Sequence, residues 1–289
     1  MAETPRVPQR PEPRDLTELR ALRTTQPELA PAIDLQIELI ELLRRLRVRV
    51  PTPMAPLGVE AARARLSAGR RLLELSEISL EWADFRLILR QAADVLRRHD
   101  SLDNQDHGPI VAVARESDGL VALVTAWYAE TGVPPADRPE LAAHRQHLPA
   151  ALDQVLSIAI RPFLARAAEV AVQSAPLAEW GRPWCPCCGS EPEFAAVIAD
   201  DVRVLTCGRC EARWPWLFVG CPWCETRDVS QLVTLASPDR KYRVYGCNEC
   251  HRYLKGYDAR GGRRQVLPAV DTIATLPLDA AAMQRGFAG

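Results

Sequence analysis

Through the first 175 residues, apolar side chains recur at three- and four-residue steps, the period of helices with one buried face. Ile33, Ile37, Ile40, Leu43 (or Leu42) and Leu46 form one such stripe, with Glu38, Glu41, Arg44 and Arg45 between them. Pro51, Pro53 and Pro56 end that helix and form a linker. A second helical region is predicted from Val59 to about Arg98, with an interruption near Gly69. Leu87, Ala92, Val95 and Leu96 fall on its buried side. A polar turn over Ser101–Gly108 precedes an apolar helix to about Tyr128, which Gly132, Pro134 and Pro135 stop. The last helical stretch, Glu140 to Gln173, should bend near Pro149 and Pro162, where proline removes a backbone donor. Residues 1–14 carry four prolines and no apolar period, and read as a flexible tail. Core packing accounts for all these stripes, and no catalytic motif lies among them.

The pattern changes at Trp180. Five of the seven tryptophans and all nine cysteines lie between there and Cys250. Short strand-like segments replace the helical period: Phe194–Ala199 and Val202–Thr206 around a turn at Asp200–Asp201, then Trp214–Val219, whose proline suits a sheet edge. Gln231–Ala236, Tyr242–Gly246 and Arg252–Tyr257 follow, then a turn at Gly261–Gly262. Residues from Thr272 to Phe287 read as mixed loop and short helix. The fold class predicted is α+β: an all-helical domain over residues 15–175, then tandem rubredoxin-like or zinc-ribbon β modules over residues 180–289.

Composition narrows the function. With 36 basic and 37 acidic residues the net charge is −1, so global attraction to nucleic acid or anionic lipid is not expected. No apolar run reaches the roughly 18 residues of a membrane-spanning helix. The N-terminus has no apolar segment behind its charges, as a secretory signal would. A cytoplasmic location is the expectation. No glycine-rich phosphate loop, nucleophile elbow or His-Glu-x-x-His is present, which argues against an enzyme.

Eight of the nine cysteines fall into four Cys-x-x-Cys pairs: Cys185/Cys188, Cys207/Cys210, Cys221/Cys224 and Cys247/Cys250. Two intervening residues let a tight turn aim both sulfurs at one ion, and two such knuckles complete a tetrahedral four-thiolate shell. Eighteen residues separate Cys188 from Cys207 and 22 separate Cys224 from Cys247, lengths that suit a hairpin; only ten separate Cys210 from Cys221. The prediction is one site from Cys185, Cys188, Cys207 and Cys210 and another from Cys221, Cys224, Cys247 and Cys250. Interleaved pairing is the alternative. Cys187 is left over and should point away as a packing residue. His99, His107, His144 and His147 suit surface or capping roles, and His251 is a neighbour of the last knuckle rather than a ligand. Iron and zinc both accept four thiolates, and the residues do not choose between them. A purely structural metal is one reading and a redox-sensing one is the other, with the tryptophans either shielding sulfur or simply filling a small core.

These residues resemble the FdhE-type formate dehydrogenase accessory proteins. The likeness rests on Cys185-Pro-Cys-Cys-Gly-Ser190, on Cys207-x-x-Cys210-Glu211 with Trp214, and on Cys221-x-x-Cys224. It extends to Cys247-x-x-Cys250 with Tyr253-Leu254-Lys255, then Asp271 and Leu276-x-Leu278-Asp279. It implies a helical domain followed by two rubredoxin-like sites holding iron, with zinc possible instead, on the eight paired cysteines. The implied role is non-catalytic: maturation of the catalytic subunit of a molybdenum or tungsten formate dehydrogenase. The two-part architecture by itself offers a groove between the parts as a place for a client segment. Cys187 departs from the family's pattern. The competing readings are a zinc-ribbon nucleic-acid binder and a rubredoxin-like electron carrier. Against the first, residues 181–260 carry 11 basic and 10 acidic side chains, and two four-thiolate sites each adding about −2 would make the region net negative.

Overall fold

A computed structural model describes residues 12–51, 57–130, 149–198, 202–261, 264 and 266–288 of the chain. Seven helices precede the sheet among these residues: α1 (Arg14–Thr25), α2 (Ala30–Arg47), α3 (Val59–Ser67), α4 (Trp82–Arg98), α5 (Asn104–Val113), α6 (Ser117–Ala129) and α7 (Ala150–Ser174). Helix α4 is the centre, burying Phe85, Ile88, Leu89, Ala92, Ala93, Val95 and Leu96. It packs against α2, α5 and α7. Leu87, expected in the core, is only partly buried beside it.

The stripe read on α2 divides between two partners. Leu39, Leu42 and Leu46 face the main core. Ile33, Ile37 and Ile40 belong to a second cluster with Leu19 of α1 and Val270 near the C-terminus. A helix between two layers must be apolar on two faces, and the sequence stripe is the sum of both.

The interruption expected near Gly69 within the helical region Val59–Arg98 is present, and it is longer than a local break. Helix α3 ends before Gly69, which takes φ +70°, and the chain does not return to a helix of more than one turn until Trp82. The intervening residues are diverted by distant partners. Leu72 and Leu73 donate backbone hydrogen bonds to the carbonyls of Pro186 (2.8 Å) and Cys187 (2.9 Å). Arg65 holds the Leu72 carbonyl at 2.7 Å and grips Glu77 through both guanidinium nitrogens. The Tyr128 hydroxyl donates to the Leu73 carbonyl at 2.8 Å. The polar turn expected over Ser101–Gly108 is shorter, because α5 already begins at Asn104, and α5 and α6 stand where one helix was expected. Pro149 caps α7, and Pro162 lies buried inside it. The loop at Gly132, Pro134 and Pro135, the stretch from Glu140 to Pro149, and His144 and His147 fall outside the described residues or at their edge, as do most of the proline linker and the tail.

Six strands make one mixed sheet in the order β3-β2-β1-β6-β5-β4. They are β1 (Pro192–Val197), β2 (Arg203–Cys207), β3 (Arg213–Trp216), β4 (Leu232–Ala236), β5 (Tyr242–Cys247) and β6 (Tyr253–Asp258). Each half is an antiparallel meander of three strands. Strand β3 lies at the edge with Pro215 opposite Val204, where a missing donor is tolerated. The turn at Asp200–Asp201 lies outside the described residues. The meanders join through a parallel pairing of β1 with β6, Phe194 opposite Lys255 and Val197 opposite Asp258. At that seam Gly256 leaves room for the neighbouring strands: a Cβ there would lie 2.9 Å from the Tyr245 ring and 3.1 Å from the Ala195 carbonyl.

The C-terminal stretch holds two helices rather than one, α8 (Pro268–Ala274) and α9 (Leu276–Gln284). Their acids fix them to the sheet. Buried Asp271 accepts from the Tyr242 hydroxyl (2.7 Å) and the Leu267 amide (2.8 Å), and pairs with Arg264. Asp279 accepts from the Tyr253 hydroxyl (2.8 Å) and from Lys255 Nζ (2.7 Å). The non-cysteine residues that carried the family likeness, Tyr253, Lys255, Asp271 and Asp279, are thus structural clamps. Phe287 packs beside Val244 and Tyr253, and Ala288 bonds to both His251 and Tyr253. A single buried cluster runs from α2 through α4 and α7 to Trp180, Trp184, Trp214 and the cysteines of the sheet.

Replacing Gly256 by alanine should cost about 1–3 kcal/mol, since the seam has no slack. Gly261→Ala, where nothing lies within 4 Å of the new carbon, should cost far less. Urea unfolding of the two variants measures the difference.

Candidate metal centres

Every knuckle is the same turn. The amide four residues beyond the first cysteine donates back to that cysteine's carbonyl: Gly189 to Cys185 (2.9 Å), Glu211 to Cys207 (3.0 Å), Glu225 to Cys221 (3.0 Å) and His251 to Cys247 (2.9 Å). The first cysteine's amide then donates to the carbonyl five residues on, at Ser190, Ala212, Thr226 and Arg252. Closing this loop forces the residue after the second cysteine into the left-handed region. Gly189 takes φ +77° freely, whereas Glu211, Glu225 and His251 take +61°, +58° and +56° against the preference of any residue with a Cβ. Inside the second knuckle the Arg209 and Cys210 amides point at the Cys207 sulfur, 3.4 and 3.5 Å away.

The knuckles stand at matching places in the two meanders. One precedes each hairpin, and the other joins its second strand to the third. The hairpin therefore folds two knuckles onto each other. The sulfurs of Cys185, Cys188, Cys207 and Cys210 all lie within 4.8 Å of one another, and so do those of Cys221, Cys224, Cys247 and Cys250. The shortest approaches cross between knuckles: Cys185 to Cys210 is 3.4 Å, Cys188 to Cys207 3.5 Å, Cys221 to Cys250 3.5 Å and Cys224 to Cys247 3.7 Å. A tetrahedron with metal–sulfur bonds of about 2.3 Å has edges of about 3.8 Å, so these clusters are the right size for one ion each. All nine cysteines are free thiols. The donor set and its spacing fit Zn²⁺ or a single iron equally.

The first group sits in the protein's core. Its cysteines are no more than 2% exposed. Trp180 and Trp184 meet edge to face at 6.2 Å in the same buried cluster, the Trp180 indole donates to the Trp184 carbonyl, and the Trp214 indole donates to the Arg182 carbonyl. Arg209, between the two ligands of the second knuckle, reaches across to Asp153 of α7 at 3.2 Å and stacks over Trp127 of α6. Its other terminal nitrogen is buried with no hydrogen-bond partner. A metal-loaded four-thiolate centre would be doubly negative and would favour a guanidinium held between its ligands.

Cys187 is a buried core residue outside the four-sulfur group, as expected, though its thiol lies close to the sulfurs of Cys185 and Cys210 rather than away from them. The cause is the pairing of Leu72 and Leu73 with Pro186 and Cys187, which presses this knuckle into the helices. Among the histidines, His99 caps α4 and bonds to Glu38, and His107 bonds to Asp94, each at 2.8 Å. His251 is exposed and stands outside the sulfur group.

Burial controls the protons. It pushes the Cys185, Cys210 and Cys221 thiols well above the ordinary 9.0, and raises Cys224 to about 11. Cys247 goes down, because the Cys250 and Glu249 amides and neighbouring sulfurs outweigh its own burial.

Comparison with known proteins returns no matching family model. The chain is 37% identical to the FdhE homolog of Cronobacter sakazakii over 118 residues, 38% of this chain and 37% of that protein. It is 32% identical to the FdhE homolog of Shewanella baltica over 107 residues, 36% of this chain and 35% of that one. The matched stretch thus spans little more than a third of these curated relatives. Among solved structures, the FdhE protein from Pseudomonas aeruginosa matches with a TM-score of 0.64 at 22% identity, covering 95% of this chain and 91% of that one. The chain has the FdhE-type fold and, over a little more than a third of its length, FdhE-like sequence.

Two outcomes follow from the knuckles. Glu225→Gly and His251→Gly each remove a left-handed residue with a side chain, and each should raise metal-loaded stability by about 1 kcal/mol in thermal unfolding. Because burial keeps the metal-free Cys185, Cys210, Cys221 and Cys224 thiols protonated at neutral pH, loading should release close to one proton from each of these four, and metal affinity should fall as pH is lowered. The metal-free fold behaves oppositely. A raised thiol pKa stabilises it below pH 9, and for Cys224 that contribution is lost as pH rises from 9.0 to about 11. A proton-release titration in weak buffer and a pH series of urea melts check the two signs.

Proposed function

We propose that this protein is a non-catalytic accessory factor that binds the immature catalytic subunit of a respiratory formate dehydrogenase, and that its eight paired cysteines hold two mononuclear irons, or zinc in their place. The observation that carries the proposal is the coincidence of two four-cysteine clusters with an FdhE-type fold over nearly the whole chain. Residues 15–175 and 180–289 act together in this reading, since one buried cluster links them.

The cleft between them supports a client-binding role. It has a volume of about 900 Å³ and is lined by Gln36 of α2, Ser157 and Arg161 of α7, and Cys207 and Gly208 of the second knuckle. A segment lying there would touch the helices and the first centre at once. Among the described residues no helix is long and apolar enough to cross a membrane, and we place the protein in the cytoplasm beside its client.

The nucleic-acid alternative is less well supported. Phosphate affinity would need Arg240, Lys241, Arg243, Arg263 and Arg264 on one face; Arg263 lies outside the described residues, and three of the others are paired, Lys241 with Asp239, Arg243 with Asp258 and Arg264 with Asp271. Paired cations contribute little to phosphate affinity.

Tagged full-length protein should retain the formate dehydrogenase catalytic subunit made without its cofactor, and a strain lacking this protein should lose formate dehydrogenase activity. Normal activity in that strain would refute the assignment. Elemental analysis should give two metals per chain, and a reddish colour bleached by dithionite would identify iron.

A further inference from the structure

We propose that the two centres divide the work: the first is a permanent structural site, and the second is the site at which metal is exchanged with an external sulfur ligand. This deepens the reading of both clusters as metal sites and rests on it.

Two features separate them. The first is access. All four sulfurs of the first centre are sealed, with exposures of 0%, 1%, 1% and 2% for Cys185, Cys188, Cys207 and Cys210. In the second, Cys221 and Cys247 are buried but Cys224 and Cys250 are only half-buried. Glu225, Asn248, Glu249 and His251, the residues around the open pair, are all exposed.

The second feature is tethering. The knuckles of the first centre are tied to the helices by the amides of Leu72 and Leu73 and by the Arg209–Asp153 pair. Those of the second are tied within the sheet and its C-terminal segment, through Asn248 to the Gln231 carbonyl and His251 to Ala288. Opening the first centre therefore breaks polar ties between the two parts of the chain that opening the second leaves in place.

The exchange step needs no redox partner. An external thiol approaches the metal through the Cys224–Cys250 face and gives up its proton. One metal–sulfur bond forms to it as the bond to Cys224 or Cys250 breaks, and the freed cysteine takes the proton. The charge of the centre is unchanged. A chelating dithiol that repeats the step removes the ion. The ligand class is thus a soft cation delivered or withdrawn by a thiol-bearing carrier.

The test uses full-length protein loaded with zinc to two equivalents, verified by elemental analysis, and then mixed with an excess of a chelating dye. One equivalent should leave at least about tenfold faster than the other. Iodoacetamide labelling followed by peptide mass spectrometry should mark Cys224 and Cys250 before any cysteine of the first centre. Cys250→Ser should lose the fast equivalent and keep the slow one, with its helical circular dichroism intact. Release of both equivalents at one rate, or first labelling at Cys185, Cys188, Cys207 or Cys210, overturns the proposal even if the variant fails to fold. A chain that binds no zinc fails at the loading step and overturns the metal-site reading itself.

Discussion

Four thiolates share a space a few ångströms across only when something positive lies among them. Without it the sulfurs must stay protonated, and the burial that raises Cys185 and Cys210 is the measure of that preference. Much of the sheet's architecture serves this one constraint. Each hairpin exists to bring two knuckles together, each knuckle spends its amides on closing the turn or facing sulfur, and three of the four carry a strained residue to do so. A small six-stranded sheet with so much of its length given to turns has little apolar surface of its own, and metal binding then becomes part of its folding free energy.

Cysteines of both centres belong to the same buried cluster as Phe85 and Phe163, and the first centre adds a second dependence through its polar ties to the helical part. The segment after Gly69 gives up helical structure to pair with Pro186 and Cys187, and Arg209 spans the boundary in the other direction to Asp153 and Trp127. A change at this centre is therefore felt by α6 and α7, whereas the parallel seam between β1 and β6 is the main path from the second centre to the rest.

What the sequence disclosed was whatever has a short-range cause. Cysteine spacing marked the knuckles, alternating residues marked β1, β2, β5 and β6, and Pro215 marked an edge. The hidden parts have long-range causes. Residues 70–81 have a helical composition, yet Leu72 and Leu73 answer to a carbonyl pair more than 100 positions away. No local signal shows that β1 pairs with β6 or that α2 is buried on two sides. Asp271 and Asp279 were visible as part of a familiar pattern, but their role as clamps depends on tyrosines and basic residues that only the folded chain brings to them. Non-glycine residues at φ near +60° were also concealed, since nothing about Glu211 or His251 in isolation points to a left-handed turn.

That last point bears on how such a module keeps two kinds of site. The two meanders are near-copies in topology, so the order of strands and knuckles cannot make one centre differ from the other. What differs is the surroundings of each: helices and tryptophans over one, solvent over half of the other, and a glycine at one closing turn where the others have a side chain. Access sets how readily a ligand leaves a metal, while the four-thiolate shell sets which metals enter. The same donor set can thus serve as a rivet in one place and as a reactive centre in another, with the distinction written in residues that never touch the ion.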